Sequence, residues 1–600
     1  MHLRLTRAYP YLLFAAALLL YALSLLPGIG QADTAEFQRV LPTGSLAHPT
    51  GYPLYTLLGW AWSRLPLGGS LAWRTNLLSA VFGALTTLAI YQTGRAMRLG
   101  RLVSTAGALS FATSLAFWVQ ATRAEVYALA IAIQAGFILA LLLWRAGSLP
   151  LWAPALVFGL GLAHHRMIVL LAPGALVFVL ARGWPRGRVL AAALLAVLAP
   201  GLLYLHILAQ LPPWPGRWTM FKQYVLAEEY TRTLFRPGRL IEDGLARPLM
   251  LFREHIGNQF LLIGVPLQLL GAIRIVRRDR GLAALLLLSG LAVTLFCSAY
   301  YVSDIDVFLI PLHAIGALLL AQGLAAAADL LPARRARAAG LLALALPALL
   351  LASNWGALRV INGGADETFA RAIMAHRFPE RALVIGDWSR IEALRYLQAV
   401  EGQHPSIDLI ITFDAEQMLP SVREALAAGR QVYALGPLPG LGLEQVADGP
   451  VWRITDRPLA ITPDTPAGIG WAGGIELAAY SLPSGPYLPG QNVPIAIAWQ
   501  ARARPPASYS LFIHLTDGAG RLWGQHDGAP QVATADWQAG AEYKDLYALL
   551  LSPETPPGRY QVRLGWYSYP SLERLALADG ADHAVLAEIE VRPPGGAGGQ

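Results

Sequence analysis

A chain of 600 residues with 55% hydrophobic and only 14% charged side chains, and a mean hydropathy of +0.45, falls far below the charged fraction of about 25% usual in soluble proteins, which excludes an ordinary soluble chain. The formal charge of +8 conceals a split, because residues 1–355 hold 28 Lys and Arg against 12 Asp and Glu whereas residues 356–600 hold 18 against 26. The basic excess lies in short loops between apolar runs, where orientation signals sit, so nucleic-acid binding is excluded, and the single Cys297 excludes intramolecular disulfides and cysteine-based zinc sites.

A helix needs about 20 apolar residues to cross a bilayer. Runs near 9–27, 75–94, 102–119, 124–144, 150–163, 167–181, 189–209, 256–273, 281–298, 307–328 and 339–354 predict about eleven spans within a transmembrane domain at 1–355. The short pair at 150–181 shares the polar interruption His164, His165 and Arg166 and reads as a hairpin with a polar tip. The segment Tyr52 to Leu67 carries Pro53, Arg64 and Pro66 and is expected as an interfacial or re-entrant helix. With the N-terminus in the cytoplasm, Arg4 and Arg7, then Arg95, Arg98 and Arg101, then Arg145, then Arg182, Arg186 and Arg188 all fall inside. Arg274, Arg277, Arg278 and Arg280 and then Arg334, Arg335 and Arg337 continue the alternation, which predicts a multi-pass plasma-membrane protein with its C-terminal part outside the cytoplasm. Arg4 and Arg7 before the first run also fit a signal peptide, for which the run is long.

The carboxylates of the first half gather on the outer side: Asp33, Glu36, Glu125, Asp304, Asp306 and five more in the loop 210–255. Acids beside a membrane are costly and usually face a cavity or one another, so a one-sided collection predicts a functional site. Asp33 and Glu36, three apart, share a helix face; they fit either a general base with its hydrogen-bonding partner or a capping box. Downstream, Leu46-Ala-His48-Pro49-Thr-Gly51-Tyr52-Pro53-Leu-Tyr55 forms a stiff turn that can hold His48 and Tyr52 against a ligand or simply end a loop at the interface.

The blocks Asp33-Thr-Ala-Glu36-Phe, His48-Pro-Thr-Gly-Tyr-Pro-Leu-Tyr55 and Phe117-Trp-Val-Gln-Ala-Thr-Arg123-Ala-Glu125-Val-Tyr127, with Asp304-Ile-Asp306 before Pro311, resemble the bacterial multi-spanning membrane family related to protein O-mannosyltransferases. That resemblance implies a polytopic α-helical fold of the GT-C glycosyltransferase superfamily, a polyprenyl-phosphate sugar donor, a protein or glycan acceptor on the extracytoplasmic face, and an acidic residue in the first outer loop acting on the acceptor, a position held here by Asp33.

Because a polyprenyl phosphate leaves readily, one base and a few cations suffice: Asp33 as base with Glu36 beside it, and Arg123 and Arg166 as candidates for the phosphate. Glu125 and Tyr127 are candidates for sugar hydroxyls, with the helix dipole as the plain alternative for Glu125. Asp304 and Asp306 are expected to bind substrate or support structure, and His48, His164 and His165 are candidates for substrate binding, with packing or hydrogen bonding as the plain alternative; no cofactor is expected, a divalent metal being the lesser alternative.

Beyond residue 355, the segments 382–387, 391–400, 408–413, 415–428 and 431–435 alternate strand and helix and predict a small three-layer α/β domain with a parallel sheet at 356–455. From 456 to 592, alternating segments at 493–499, 509–515, 547–551 and 560–567 broken by Asp-Gly and Pro-Gly turns predict a β-sandwich, ahead of a frayed end at 593–600. Trp523, Trp537, Trp566 and Tyr567 are candidates for sugar stacking or for the core. The leading expectation is a membrane glycosyltransferase moving a mannose-like sugar onto a hydroxyl. A transporter or lipid flippase, which commonly shows repeated halves not seen here, and a membrane-anchored carbohydrate-binding or assembly protein are the rivals.

Overall fold

The computed structural model describes residues 2–213, 215–228, 234–332, 340–458, 463–483, 485–552, 554–569 and 571–593. Arg334, Arg335 and Arg337, the Arg4 and Arg7 side chains, and all but the first residue of the end expected at 593–600 lie outside the described residues. The chain divides into two compact units, Met1–Gly364 and Ala365–Gln600.

The first unit is helical. It opens with α1 (His2–Leu23), α2 (Ala32–Thr43), α3 (Pro53–Ser63), α4 (Leu71–Ala96), α5 (Arg101–Ala112), α6 (Leu115–Gln120) and α7 (Tyr127–Arg145). Among the described residues six helices are long and apolar enough to cross a membrane: Leu71–Ala96, Tyr127–Arg145, Gly187–Gln210, Arg280–Ala299, Ile310–Asp329 and Gly340–Met374. A seventh follows if Ala246–Ile256 and Leu261–Arg278, bent by 118°, make one broken span, and Ala8–Leu23, Trp152–Leu162 and Arg166–Leu180 are shorter apolar helices. Of the about eleven expected spans, six or seven are thus long, continuous or singly bent apolar helices among the described residues, and others are shorter or broken. The run 102–119 breaks between α5 and α6, where the Thr113 and Ser114 hydroxyls bond back to Leu109 O and Phe111 O at 2.8 and 2.7 Å. The run 167–181 begins as a 3₁₀ turn, Arg166–Leu171, ahead of Pro173. The 11-residue α3 is too short to span, in keeping with an interfacial or re-entrant helix.

A polar girder sets the end of the bundle where α2 lies. Gln38 and Asn76, both fully buried, bond one another at 2.9 Å; Gln38 also donates to Gly28 O, and Asn76 donates to Leu26 O and accepts from Ala124 N. These two amides satisfy the irregular backbone between α1 and α2 and fix it to the loop before α7, as buried backbone requires.

The second unit contains two sheets. The first has the order β2-β1-β3-β5-β4, built from β1 (Leu383–Gly386), β2 (Asp408–Ile411), β3 (Val432–Ala434), β4 (Leu443–Asp448) and β5 (Val451–Pro458). β2, β1 and β3 are parallel, as expected, but β5 and β4 join antiparallel, so the sheet is mixed. The turn at Gly449, with φ +60°, closes the extra hairpin. The second sheet is antiparallel, in the order β13-β12-β9-β10-β11-β8-β7-β6. Its strands are β6 (Thr465–Trp471), β7 (Ile475–Ser481), β8 (Asn492–Ala501), β9 (Tyr509–Thr516), β10 (Leu522–Gly528), β11 (Glu542–Leu551), β12 (Gly558–Ser568) and β13 (Ala584–Val591).

The expected β-sandwich is thus one continuous sheet folded over a shared core, in which Trp499 of β8 meets Trp566 of β12 at 4.9 Å. The fold falls at β10 and β11, which pair over only Gly524↔Leu551 and Gln525↔Leu550. Trp537 and Trp566 are buried in that core and Arg521 covers Trp523 at 4.4 Å, so these indoles pack rather than present a sugar platform. Leu546 and Ala548 of β11 pack against the core of the first sheet, which ties the two sheets into one unit.

Candidate functional site

The site is built around the start of α2. Gln31 occupies the N-cap without a side-chain cap bond, so Asp33 and Glu36 do not form a capping box. Glu36 instead turns inward. Its side chain is 4% exposed and both its oxygens go to His48: Oε1 accepts the backbone N–H at 2.8 Å and Oε2 meets Nδ1 at 2.5 Å. Asp33, one turn earlier, keeps 35% of its side chain exposed and places Oδ2 3.9 Å from His48 Nε2. The Tyr52 hydroxyl completes the ring's surroundings, 3.0 Å from Nε2.

Local sequence explains how His48 reaches this place. Gly44 ends α2 in the left-handed region, with its N–H on Val40 O at 2.8 Å, and turns the chain back. Gly51, at φ +82°, is required sterically, because a Cβ there would fall 2.4 Å from Ile207 Cδ1. Pro53 then starts α3 at a position that needs no N–H. The buried Phe37 ring lies 5.7, 5.6 and 5.3 Å from the rings of His48, Tyr52 and Tyr55, so one aromatic from α2 seats the whole turn.

A third carboxylate enters just ahead of α7. Glu125 is 7% exposed, accepts from the Thr34 hydroxyl at 2.7 Å through Oε1, and has its backbone N–H against Ser79 Oγ at 3.4 Å. Among the described residues, Glu125 Oε2, the Tyr55 hydroxyl and His164 Nδ1 are buried with no hydrogen-bond partner within ordinary bonding distance. Burial, and then repulsion from Asp33, raise the Glu125 carboxyl above its ordinary range, opposed by the Thr34 hydrogen bond, Arg123 and His48. For His48 burial works against the charged ring, but Glu36, Asp33 and Glu125 outweigh it and lift the ring to about 9. The site therefore pairs a positively charged His48 with the carboxylate of Glu36 and leaves Asp33 facing outward.

The remaining expected residues divide. His165 stacks on Tyr52 at 5.9 Å and lies 5.5 Å from Tyr127, and His164 bonds Val126 O at 2.9 Å through Nε2. Burial lowers His164 to about 4, and burial with repulsion from His164, Arg166 and His48 lowers His165 to about 3, so both are neutral at physiological pH and act as packing and hydrogen-bonding groups. Asp304 keeps an exposed surface, yet the protein crowded around its carboxylate, with Asp33 and Asp306 beyond, raises it and places it within electrostatic reach of the cluster. Arg123 donates to Asn362 Oδ1 at 2.8 Å, and the exposed Arg166 donates to Leu226 O at 3.0 Å, so each has a structural bond beside any role toward phosphate.

Thr34, Tyr55, Asn76 and Ser79 were not singled out in the sequence. Asn76 and Ser79 carried a usable signal, polar side chains inside an apolar run, which is costly unless they bond something.

Fold and site together define a polytopic membrane protein carrying a C-terminal β-rich unit. Residues 33–187 match the family described as Protein O-mannosyl-transferase TMEM260 N-terminal domain. The chain is 28% identical over 120 residues to Protein O-mannosyl-transferase tmem260 of Dictyostelium discoideum and 31% identical over 116 residues to Protein O-mannosyl-transferase TMEM260 of Mus musculus. Those stretches take in 20% and 19% of this chain and only 15% and 16% of the two relatives. ArnT from Cupriavidus metallidurans in the apo state superposes with a TM-score of 0.52 at 15% identity, covering 75% of this chain and 97% of that one. The resemblance to the O-mannosyltransferase-related membrane family thus holds over the segment that contains Asp33, Glu36, His48, Glu125 and both histidines.

Proposed function

We propose that this protein is a membrane glycosyltransferase that moves a sugar, mannose being the first to test, from a polyprenyl-phosphate carrier to a hydroxyl of a protein or glycan acceptor on the extracytoplasmic face. The observation that carries the reading is the half-exposed Asp33 beside a Glu36–His48 ion pair, inside the stretch that matches the O-mannosyl-transferase domain. Asp33 takes the acceptor's proton as the acceptor oxygen bonds the anomeric carbon, and the bond from that carbon to the phosphate oxygen breaks, releasing polyprenyl phosphate. The leaving phosphate is already an anion of a stable acid, so no protonated carboxyl is needed to expel it. Arg166, exposed after the break that follows Leu162, supplies a guanidinium for the phosphate oxygens, and Glu125, Tyr127 and Asp304 supply groups for sugar hydroxyls.

A base of this kind requires Asp33 ionised. The arginine alternation of the sequence supports an N-terminus in the cytoplasm and a second unit outside it. The test is transfer by the purified full chain, reconstituted in lipid and offered a panel of polyprenyl-phosphate sugars with small hydroxyl acceptors. Transfer from one carrier, lost in Asp33→Asn, supports the reading. No transfer from any carrier, with transport of lipid or solute instead, overturns it.

A further inference from the structure

We infer that His48 is the resident cation of this site, holding Asp33 and Glu36 in place as a divalent metal does in other carboxylate-lined sites, and that the site works without a metal ion. The inference rests on the proposed role of Asp33 for its meaning, but not for its test.

One donor atom from each of Asp33, Glu36 and His48 lies within 4.8 Å of the others, a spacing that would also suit a metal. The bonding inside the cluster argues for the ring as the cation. Glu36 turns both oxygens to His48, one on the backbone N–H and one on Nδ1, so coordination through Glu36 would compete with bonds a buried carboxylate already makes. The opposite nitrogen, Nε2, faces the Tyr52 hydroxyl at 3.0 Å and Asp33 Oδ2 at 3.9 Å, so the ring stands between the two acids. An ion between Nε2 and Asp33 would have to displace the Tyr52 hydroxyl from Nε2.

The groups around the ring are consistent with a fixed positive charge. Glu36 and Asp33 come from α2, Glu125 from the loop before α7 and Asp304 from the loop ahead of Ile305, while Arg123 and Arg166 are the nearby cations. Acids outnumber cations, and a proton held to about 9 competes with any metal for Nε2 at neutral pH. His48 is in these terms a positioning residue: it keeps Glu36 from repelling Asp33 and holds Asp33 and Tyr52 in register with the acceptor.

The test uses the full chain in lipid nanodiscs, stripped of metal and titrated with Mn²⁺ at neutral pH, with bound Mn²⁺ read by electron paramagnetic resonance. Wild type is expected to bind no stoichiometric Mn²⁺, and His48→Asp, which replaces the ring with a third carboxylate, is expected to gain one ion per chain. Stoichiometric Mn²⁺ on wild type that disappears in Asp33→Asn would overturn the inference by making His48 a ligand rather than a cation. Should His48→Asp fail to fold, the wild-type titration decides alone. Where transfer is measurable, EDTA is expected to leave it unchanged and His48→Gln to lower kcat on the order of 10²-fold. Loss of transfer in EDTA restored by a divalent ion would overturn the inference while leaving the transferase reading intact.

Discussion

Glu36→Gln isolates the ion pair from everything else in the site. Glutamine keeps the size of the side chain and a carbonyl oxygen for the His48 backbone N–H, so the packing against Phe37 and the turn survives, and what is lost is the charge and the acceptor facing Nδ1. The magnitude follows from the ring itself. Raising His48 from 6.5 to about 9 corresponds to about 3 kcal/mol of differential stabilisation at 1.36 kcal/mol per unit. Removing one partner of a buried pair typically costs about 3–5 kcal/mol, which agrees. Because the folded ring titrates above its unfolded value, this stability is present in full below about pH 6.5 and is lost as the pH rises through about 9. Thermal unfolding of wild type and Glu36→Gln in nanodiscs, scanned at one rate from about pH 6 to about pH 10, should therefore show a deficit that is largest at the acid end and closes at the alkaline end. A deficit of equal size at both ends would mean that Glu36 acts through shape alone, and the account of His48 as a cation would fall with it.

Asp33→Asn should lower transfer by on the order of 10²–10⁴ while leaving expression and the unfolding midpoint near wild type, since Gln31 rather than Asp33 occupies the cap of α2. Retention of full turnover by that variant would remove Asp33 as the base. Cysteines introduced after residue 364 should react with a membrane-impermeant reagent on intact cells, while cysteines at 274–280 should be protected; the reverse pattern would invert the proposed orientation. Truncation after Gly364 should leave a folded helical unit that extracts and runs as a single species. Truncation near residue 460 should give an unstable product, because it strips Leu546 and Ala548 from the core of the first sheet; a stable product of that length would show the two sheets to be independent.

What the sequence disclosed follows from how far each interaction reaches. The apolar runs, the acids outside them and the strand-rich end are local properties, so the membrane class, the order of elements and the neighbourhood of the site could be read directly. Asp33 and Glu36 were legible as a pair, but their partners were not: spacing of three allows a cap, and only the return of the chain after Gly44 brings His48 to Glu36, twelve positions away. The break between α5 and α6 falls at Thr113 and Ser114, two small polar residues that give too small a signal for a hydropathy window. In the same way the β4–β5 hairpin and the thin β10–β11 seam depend on pairing between segments whose individual patterns look ordinary.

The site shows why such long-range contacts matter for chemistry. Three carboxylates in one place would repel and each would tend to take up a proton, leaving no base. The structure separates them by environment: Glu36 is paired with a cation, Glu125 is buried against a hydroxyl where its neutral form is favoured, and Asp33 alone faces outward. A sequence motif can supply the three acids, but only the fold gives each its own surroundings, and here the difference is made by the histidine that the chain carries back into their midst.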